Sequence, residues 1–185
     1  MTTTNQSKIQ DFFTPKKDKI EQKYKIEDKI YIYTDGACSK NGSKQAKAGI
    51  GIYFAENDPR NVSKRVEGKQ TNNTAELSAI IEAYNIILKD KDKEKDKEKN
   101  KKDIIIATDS EYAIKCATTY GQKCDKKNWS QDEIPNKELV KTLFYLHKEN
   151  QLHINLMHIR AHTNKTDIHS LGNANADRLA NESLL

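Results

Sequence analysis

The sequence predicts an α/β domain built on a mixed β-sheet. Three short runs of β-branched and aromatic residues come first, and helical periodicity then replaces them from Thr74 to Leu88. Strand-like and helix-like segments alternate through the rest of the chain, which is the order typical of α/β proteins. The length of 185 residues suits one globular domain with a tail.

The first half of the predicted sheet comes from three short strands. Ile30–Gly36 is β-branched and aromatic and ends in a glycine turn, and Ala48–Phe54 repeats this pattern. Val62–Val66 is the third strand, because Pro59 and Asn61 before it are turn residues. These three segments are close enough in sequence to be neighbours in one sheet.

The predicted helices and the remaining strands follow. The Thr74–Leu88 helix has one apolar face, formed by Leu77, Ile80, Ile81, Tyr84, Ile87 and Leu88. Asp103–Asp109 is a continuous apolar run and therefore predicts a strand buried on both faces. The sequence further predicts helices over 109–118, 136–148 and 174–184, and a strand over 152–159.

Charge says little about the partner of this protein. The chain carries +5, but the lysine-rich segments 1–30 and 89–103 contribute +2 each, which leaves about +1 for the rest. Residues 89–102 alternate lysine with acidic residues and indicate a solvated extension of the preceding helix or a loop. The three cysteines form no C-x-x-C pair, and no apolar run reaches the roughly 20 residues of a membrane span, so we expect a soluble intracellular protein.

Four acidic residues form a candidate metal site. Asp35 and Asp109 each follow an apolar strand, and adjacent parallel strands would place them side by side at the edge where ligands bind. Glu76 and Asp177 lie near predicted helix starts. Such carboxylates repel one another unless a cation lies between them, and Mg²⁺ prefers oxygen ligands. The residues alone leave structural alternatives open: a capping box of Asn73 with Glu76, a helix-dipole role for Asp177, and turn roles for Asp35 and Asp109.

Four motifs in order resemble the type 1 ribonuclease H family. They are Thr34–Gly42, Gly68–Leu77, Thr108–Ser110 and Gly172–Ala180. The resemblance implies a ribonuclease H-like fold over residues 29–185, with a five-stranded sheet of three antiparallel and then two parallel strands. It also implies a monomeric endonuclease that hydrolyses the RNA strand of RNA–DNA hybrids with two Mg²⁺ ions, or Mn²⁺, and leaves 5′-phosphate and 3′-hydroxyl ends.

The resemblance also implies roles for individual residues. The metal-binding carboxylates are Asp35, Glu76, Asp109 and Asp177, and His162 is the mobile-loop histidine that assists turnover, although Ala161 precedes it where the family usually has glycine. Contacts to the hybrid fall on Cys38, Lys40, Asn41, Asn72 and Asn73 around the RNA 2′-hydroxyl, and on Lys69, Thr71 and Asn136 in a phosphate pocket for the DNA. Aromatic residues near the DNA channel are Tyr112, Tyr120 and Trp129, and residues 121–135 resemble a shortened basic protrusion. A rival hypothesis makes His158, His162 and His169 a zinc site.

The N-terminal 28 residues are predicted to be a flexible tail with a binding peptide at positions 6–13. Gln6, Ile9, Phe12 and Phe13 resemble the box that binds the replication sliding clamp (PCNA). The resemblance implies a role in the nucleus or at another site of DNA replication. Two alternatives remain open: a catalytically silent hybrid-binding adaptor at the clamp, and a nuclease of the same fold with a different substrate.

Overall fold

The structure, a computed structural model, describes residues 29–93, 103–131, 133–160 and 166–185. Five strands and five helices make up this part of the chain. The strands are β1 (Lys29–Ser39), β2 (Lys47–Tyr53), β3 (Val62–Arg65), β4 (Asp103–Thr108) and β5 (Ile154–His158). The helices are α1 (Asn72–Lys93), α2 (Glu111–Ala117), α3 (Thr119–Lys126), α4 (Lys137–Asn150) and α5 (Ile168–Glu182).

The strands form one mixed sheet in the order β3-β2-β1-β4-β5. The β1–β2 and β2–β3 pairs are antiparallel, whereas the β1–β4 and β4–β5 pairs are parallel. The predicted fold class, with three antiparallel strands followed by two parallel ones, is therefore confirmed.

Helices cover both faces of the sheet, and the two layers differ in size. The larger core lies under α1, α2, α3 and α4 and includes Ile32, Leu77, Ile106 and Leu143. The smaller core lies on the other face, where Tyr33, Ala107 and Ala176 pack together under α5. Within the described residues, no helix combines the length and apolarity that a membrane span needs.

Several helix boundaries differ from the prediction. The last helix begins at Ile168, six residues before the predicted start, because the Asp167 side chain caps it by accepting hydrogen bonds from the His169 and Ser170 N–H groups. The predicted 109–118 helix starts two residues later, at Glu111, and ends within one residue of the predicted end; the helix α3 that follows it was not predicted. The α1 helix continues through the beginning of the charged segment to Lys93.

Candidate active site

Two aspartates lie where the parallel pairing of the two central strands ends. The β1–β4 ladder stops at the pair Tyr33–Ala107, and Asp35 follows two residues later in β1. Asp35 is not at the end of its strand as predicted, because β1 continues to Ser39 along β2 alone. Asp109 follows directly after β4. Parallel neighbours therefore deliver both carboxylates to the same edge of the sheet.

Glu76 reaches this edge because α1 packs unusually close to β1. A Cβ atom on Gly36 would lie 2.4 Å from the Glu76 backbone nitrogen, so only glycine fits there. The helix is capped upstream, where Thr71 and Thr74 exchange hydrogen bonds of 3.1 and 3.2 Å between their hydroxyl oxygens and backbone N–H groups. The cap therefore does not use Glu76, which leaves the carboxylate for the site.

The three carboxylates form a compact cluster. One oxygen atom from each of Asp35, Glu76 and Asp109 lies within 4.8 Å of the other two. Asp35 and Glu76 are each 7% exposed, and one Glu76 carboxylate oxygen is buried without a hydrogen-bond partner. An acidic cluster with an unpartnered oxygen is a poor arrangement for the bare protein but a suitable one for a hard divalent cation, so the residues fit a metal.

The same crowding shifts the titration of the buried acids. Burial is the main cause that raises the pKa of Glu76 to about 9, and the charges of Asp35 and Asp109 add to it. Burial also raises the pKa of Asp35 to about 7, with further contributions from Asp109 and Asp177, against a hydrogen bond donated by the Gly36 N–H. The folded protein therefore holds protons on these two acids at a higher pH than free carboxyl groups do.

Asp177 approaches this three-acid cluster from α5, which packs on the other face of the sheet from α1. It lies in the middle of α5, so the prediction that it starts a helix is wrong, and the helix-dipole explanation for it fails too. Its carboxylate is half-buried and close enough to raise the pKa of Asp35. The helix approaches the sheet at Gly172, where a Cβ atom would lie 2.3 Å from the Tyr33 ring.

Asn173 belongs to this site, and the sequence analysis missed it. Its amide nitrogen donates a hydrogen bond to an Asp109 carboxylate oxygen at 3.2 Å, and the side chain is 5% exposed. Its spacing from Asp177 is one helical turn, which puts both residues on one face of α5. This i, i+4 spacing was the available signal.

The residues predicted to sense the RNA 2′-hydroxyl fall at one junction. The Asn41 side-chain oxygen accepts a hydrogen bond from the Asn72 N–H at 3.3 Å, which ties the β1–β2 turn to the start of α1. Lys40 takes a left-handed conformation in that turn, and Cys38 is half-buried in β1 just before it. Asn73 is exposed in the first turn of α1. The junction borders the carboxylate cluster through Gly36.

A second group of predicted contact residues lines a groove between α1 and α4. Lys69 and Asn136 share this groove of about 410 Å³ with Thr74. Asn136 adopts a left-handed conformation before α4, and its amide nitrogen donates to the Tyr112 hydroxyl at 3.3 Å. Thr71 is half-buried, with its hydroxyl engaged in the α1 cap. Lys69, Asn136 and Lys137 beside a helix start suit a phosphate group, and Glu67 and Glu138 also line the groove.

Trp129 does not belong to a nucleic-acid surface. It is only 5% exposed and packs against Phe144 and Tyr145, with ring centroids 6.0 and 6.2 Å away. In this structure the indole is not exposed for stacking on a base. Tyr112 and Tyr120 remain half-exposed.

Several predicted positions lie outside the described residues. They are His162 and the clamp-binding set Gln6, Ile9, Phe12 and Phe13. The other two histidines of the zinc hypothesis have separate partners: His158 contacts the Asp109 carbonyl oxygen at 3.2 Å, and His169 contacts the Tyr33 hydroxyl at 3.1 Å.

Comparisons with known proteins agree with this architecture. The chain is 35% identical to ribonuclease H1 of Mus musculus over 156 residues, which cover 83% of this chain and 49% of that protein. It is 34% identical to a ribonuclease H of Schizosaccharomyces pombe over 168 residues, which cover 88% and 56%. The chain thus spans about half the length of these relatives.

A solved structure shares the fold. LC11-RNase H1, determined in complex with an RNA/DNA hybrid, is 25% identical with a TM-score of 0.54, and the match covers 84% of this chain and 96% of that one. The family model described as RNase H matches residues 27–184. The chain therefore belongs to the RNase H family.

Proposed function

We propose that this protein hydrolyses the RNA strand of RNA–DNA hybrids at the carboxylate cluster. The observation that carries the proposal is the convergence of Asp35, Glu76 and Asp109 within 4.8 Å, two of them buried and one with an unpartnered oxygen. Family membership adds the reaction class, because the relatives bear the name ribonuclease H. The presence of the acids also favours an enzyme over a silent hybrid-binding adaptor.

The cluster would hold two Mg²⁺ ions, with Mn²⁺ as a substitute. Asp35 is the central ligand in this proposal because it is the acid that neighbours both Asp109 and Asp177. Glu76, Asp109 and Asp177 would supply further carboxylate oxygens to these ions. Divalent cations in such a site supply stabilisation for the negative charge that develops during phosphodiester hydrolysis.

The chain's own residues then bind and align the substrate. A water molecule attacks the scissile phosphate of the RNA strand. Its oxygen forms a bond to phosphorus in line with the 3′ oxygen, and the bond between phosphorus and the 3′ oxygen breaks. The products are a 5′-phosphate on the downstream piece and a 3′-hydroxyl upstream, with a water proton ending on the 3′ oxygen. His162 is the proposed side chain for proton transfer or product release, in keeping with its place in the family motif.

Selection of the hybrid is assigned to the two groups of polar residues. The Asn41–Asn72 junction, with Cys38, Lys40 and Asn73 near it, would read the 2′-hydroxyl, which is a donor and an acceptor that DNA lacks. The groove with Lys69 and Asn136, next to Thr71, would hold a DNA phosphate. Tyr112 and Tyr120 would lie along the DNA strand.

A cleavage assay tests this function directly. End-labelled hybrid, single-stranded RNA, duplex RNA and duplex DNA are incubated with Mg²⁺ or with EDTA. We expect Mg²⁺-dependent cutting of only the RNA in the hybrid. Asp109→Asn should abolish it, whereas Asp103→Asn, an exposed aspartate at the other end of the same strand, should not. Binding of hybrid without any cutting would support the adaptor, and cutting of duplex RNA would support a different specificity.

We further propose that residues 6–13 tether the enzyme to the replication sliding clamp. Gln6, Ile9, Phe12 and Phe13 have the spacing of a short helical plug with paired aromatics, and a tether raises the local concentration of enzyme at replication sites. Pull-down on immobilised clamp should succeed with the wild type and fail with Phe12→Ala/Phe13→Ala, while hybrid cleavage in solution is equal for both. Undiminished pull-down by the variant would show that this peptide does not bind the clamp.

A further inference from the structure

Asn173 has surroundings that no packing role explains. It lies on the α5 face that packs against the sheet, and its side chain is 5% exposed. Asparagine is a weak helix former, and an apolar residue would fill a buried position with less desolvation cost. Asn175 of the same helix donates only to the Leu171 carbonyl oxygen, whereas Asn181 donates to the Asp177 carbonyl oxygen and, at 2.9 Å, to an Asp177 carboxylate oxygen.

The two ends of the Asn173 amide are in different situations. The nitrogen donates to one carboxylate oxygen of Asp109 at 3.2 Å, across 64 residues of sequence. The oxygen is buried and has no hydrogen-bond partner. A buried acceptor without a donor is unfavourable, and it is retained in proteins where another group, such as a water or a ligand, supplies the donor.

The hydrogen bond has a defined consequence for Asp109. A carboxylate has two oxygens, and the Asn173 amide occupies one of them and fixes the rotation of the group. Asp109 also contributes one carboxylate oxygen to the 4.8 Å cluster with Asp35 and Glu76, so fixing the rotation of its carboxylate fixes where that oxygen lies. Residues that hold a metal-binding carboxylate in this way commonly contribute 10-fold to 100-fold to metal affinity or activity.

We propose that Asn173 is a positioning residue that orients Asp109 toward the cation site and that offers its buried amide oxygen to a water of the hydrated cation. This inference rests on the proposed function, because it assumes that the carboxylate cluster binds divalent cations. Asn173 does not touch the reacting atoms; it acts through Asp109.

Calorimetric titration of the full chain with Mg²⁺, without nucleic acid, tests the proposal. Asn173→Ala should raise the dissociation constant for Mg²⁺ by about 10-fold or more. In cleavage assays the variant should need a correspondingly higher Mg²⁺ concentration, with lower kcat and an unchanged KM for the hybrid. Asn175→Ala removes an amide two residues away that bonds only within its helix, and it should bind Mg²⁺ like the wild type.

A second variant covers the case in which alanine at this buried position prevents folding. Asn173→Ser keeps a small polar group, but its hydroxyl is too short to replace the 3.2 Å contact, so it should repeat the loss of Mg²⁺ affinity. A folded Asn173 variant with reduced thermal stability and wild-type Mg²⁺ affinity would overturn the proposal and leave a packing role. The two proposals fail separately: if Asp109→Asn also binds Mg²⁺ and cleaves normally, the site itself is wrong.

Discussion

Removing the charge of Glu76 should stabilise the metal-free protein while it abolishes activity. Burial raises the pKa of this carboxyl from an ordinary 4.5 to about 9, so the folded chain binds the proton more tightly than the unfolded chain does. The group is therefore harmless to stability below pH 4.5 and increasingly destabilising as the pH rises from 4.5 toward 9. Glu76→Gln cannot ionise and escapes this loss.

The size of the effect follows from the difference between the two pKa values. Each pH unit above 4.5 costs the wild type about 1.4 kcal/mol, which reaches about 3 kcal/mol at pH 7. The variant loses part of this advantage, because the N–H groups of its buried glutamine amide need hydrogen-bond acceptors. We expect the variant to be more stable than the wild type by about 2 kcal/mol at pH 7, whereas at pH 5, where ionisation costs only about 0.7 kcal/mol, the two proteins should be nearly equal in stability.

Thermal unfolding in EDTA at pH 5, 6, 7 and 8 measures the difference. The Tm advantage of Glu76→Gln should grow with pH and reach roughly 5 °C at pH 7. Adding Mg²⁺ should raise the Tm of the wild type, because a cation that binds the folded protein stabilises it against unfolding. The Tm of the variant should stay nearly unchanged, because the variant lacks the Glu76 carboxylate and binds Mg²⁺ weakly. Glu82→Gln, on the same helix and half-exposed, is the matched control and should show no pH-dependent gain.

A variant less stable than the wild type in EDTA at every pH would refute the reasoning. The carboxylate would then be satisfied by the protein itself, and its unpartnered oxygen would not indicate a missing cation.

Three other substitutions test the description of the site and its surroundings. Gly36→Ala should lower the free energy of unfolding by about 1–3 kcal/mol and reduce kcat at least 10-fold, because the new methyl group pushes α1 from β1; a wild-type melting curve and rate would contradict the close approach. Lys69→Ala/Asn136→Ala should raise the KM for the hybrid and flatten its dependence on salt concentration, with little change in kcat, as steady-state rates between 50 and 200 mM salt would measure. Trp129→Ala should cost about 3–5 kcal/mol in urea unfolding, the amount typical of a large buried aromatic; loss of hybrid binding at normal stability would restore its place in the DNA channel.

The sheet could be predicted because its signals are local. The apolar run before Asp109 and the β-branched and aromatic run before Asp35 identify buried strands from a few residues each. The pairing of β1 with β4 in parallel then follows from topology, and it brings the two aspartates to one edge.

The remaining features depend on contacts that no local pattern encodes. The helix α3, which follows α2 directly after Thr118, was not predicted, because few apolar residues mark its buried face. The burial of Trp129 arises from contact with α4, a later segment of the chain. The role suggested for Asn173 depends on Asp109, which is 64 residues away in the sequence. The i, i+4 spacing of Asn173 and Asp177 indicates that they share a helix face, but it does not indicate that this face contacts Asp109.

Strand β1 pairs with β4 along its first part and with β2 along its later part, and this limits where residues can be inserted or deleted. Residues 29–33 of this strand are held by β4, and residues 33–39 are held by β2, so Tyr33 belongs to both ladders. One residue inserted before Asp35 would turn its side chain to the opposite face of the sheet, where neither Asp177 nor Asn173 is found. The β2–β3 loop carries no part of the site, and it can lengthen without moving a carboxylate. Natural or engineered length variation should therefore accumulate in that loop, whereas β1 should keep a fixed number of residues.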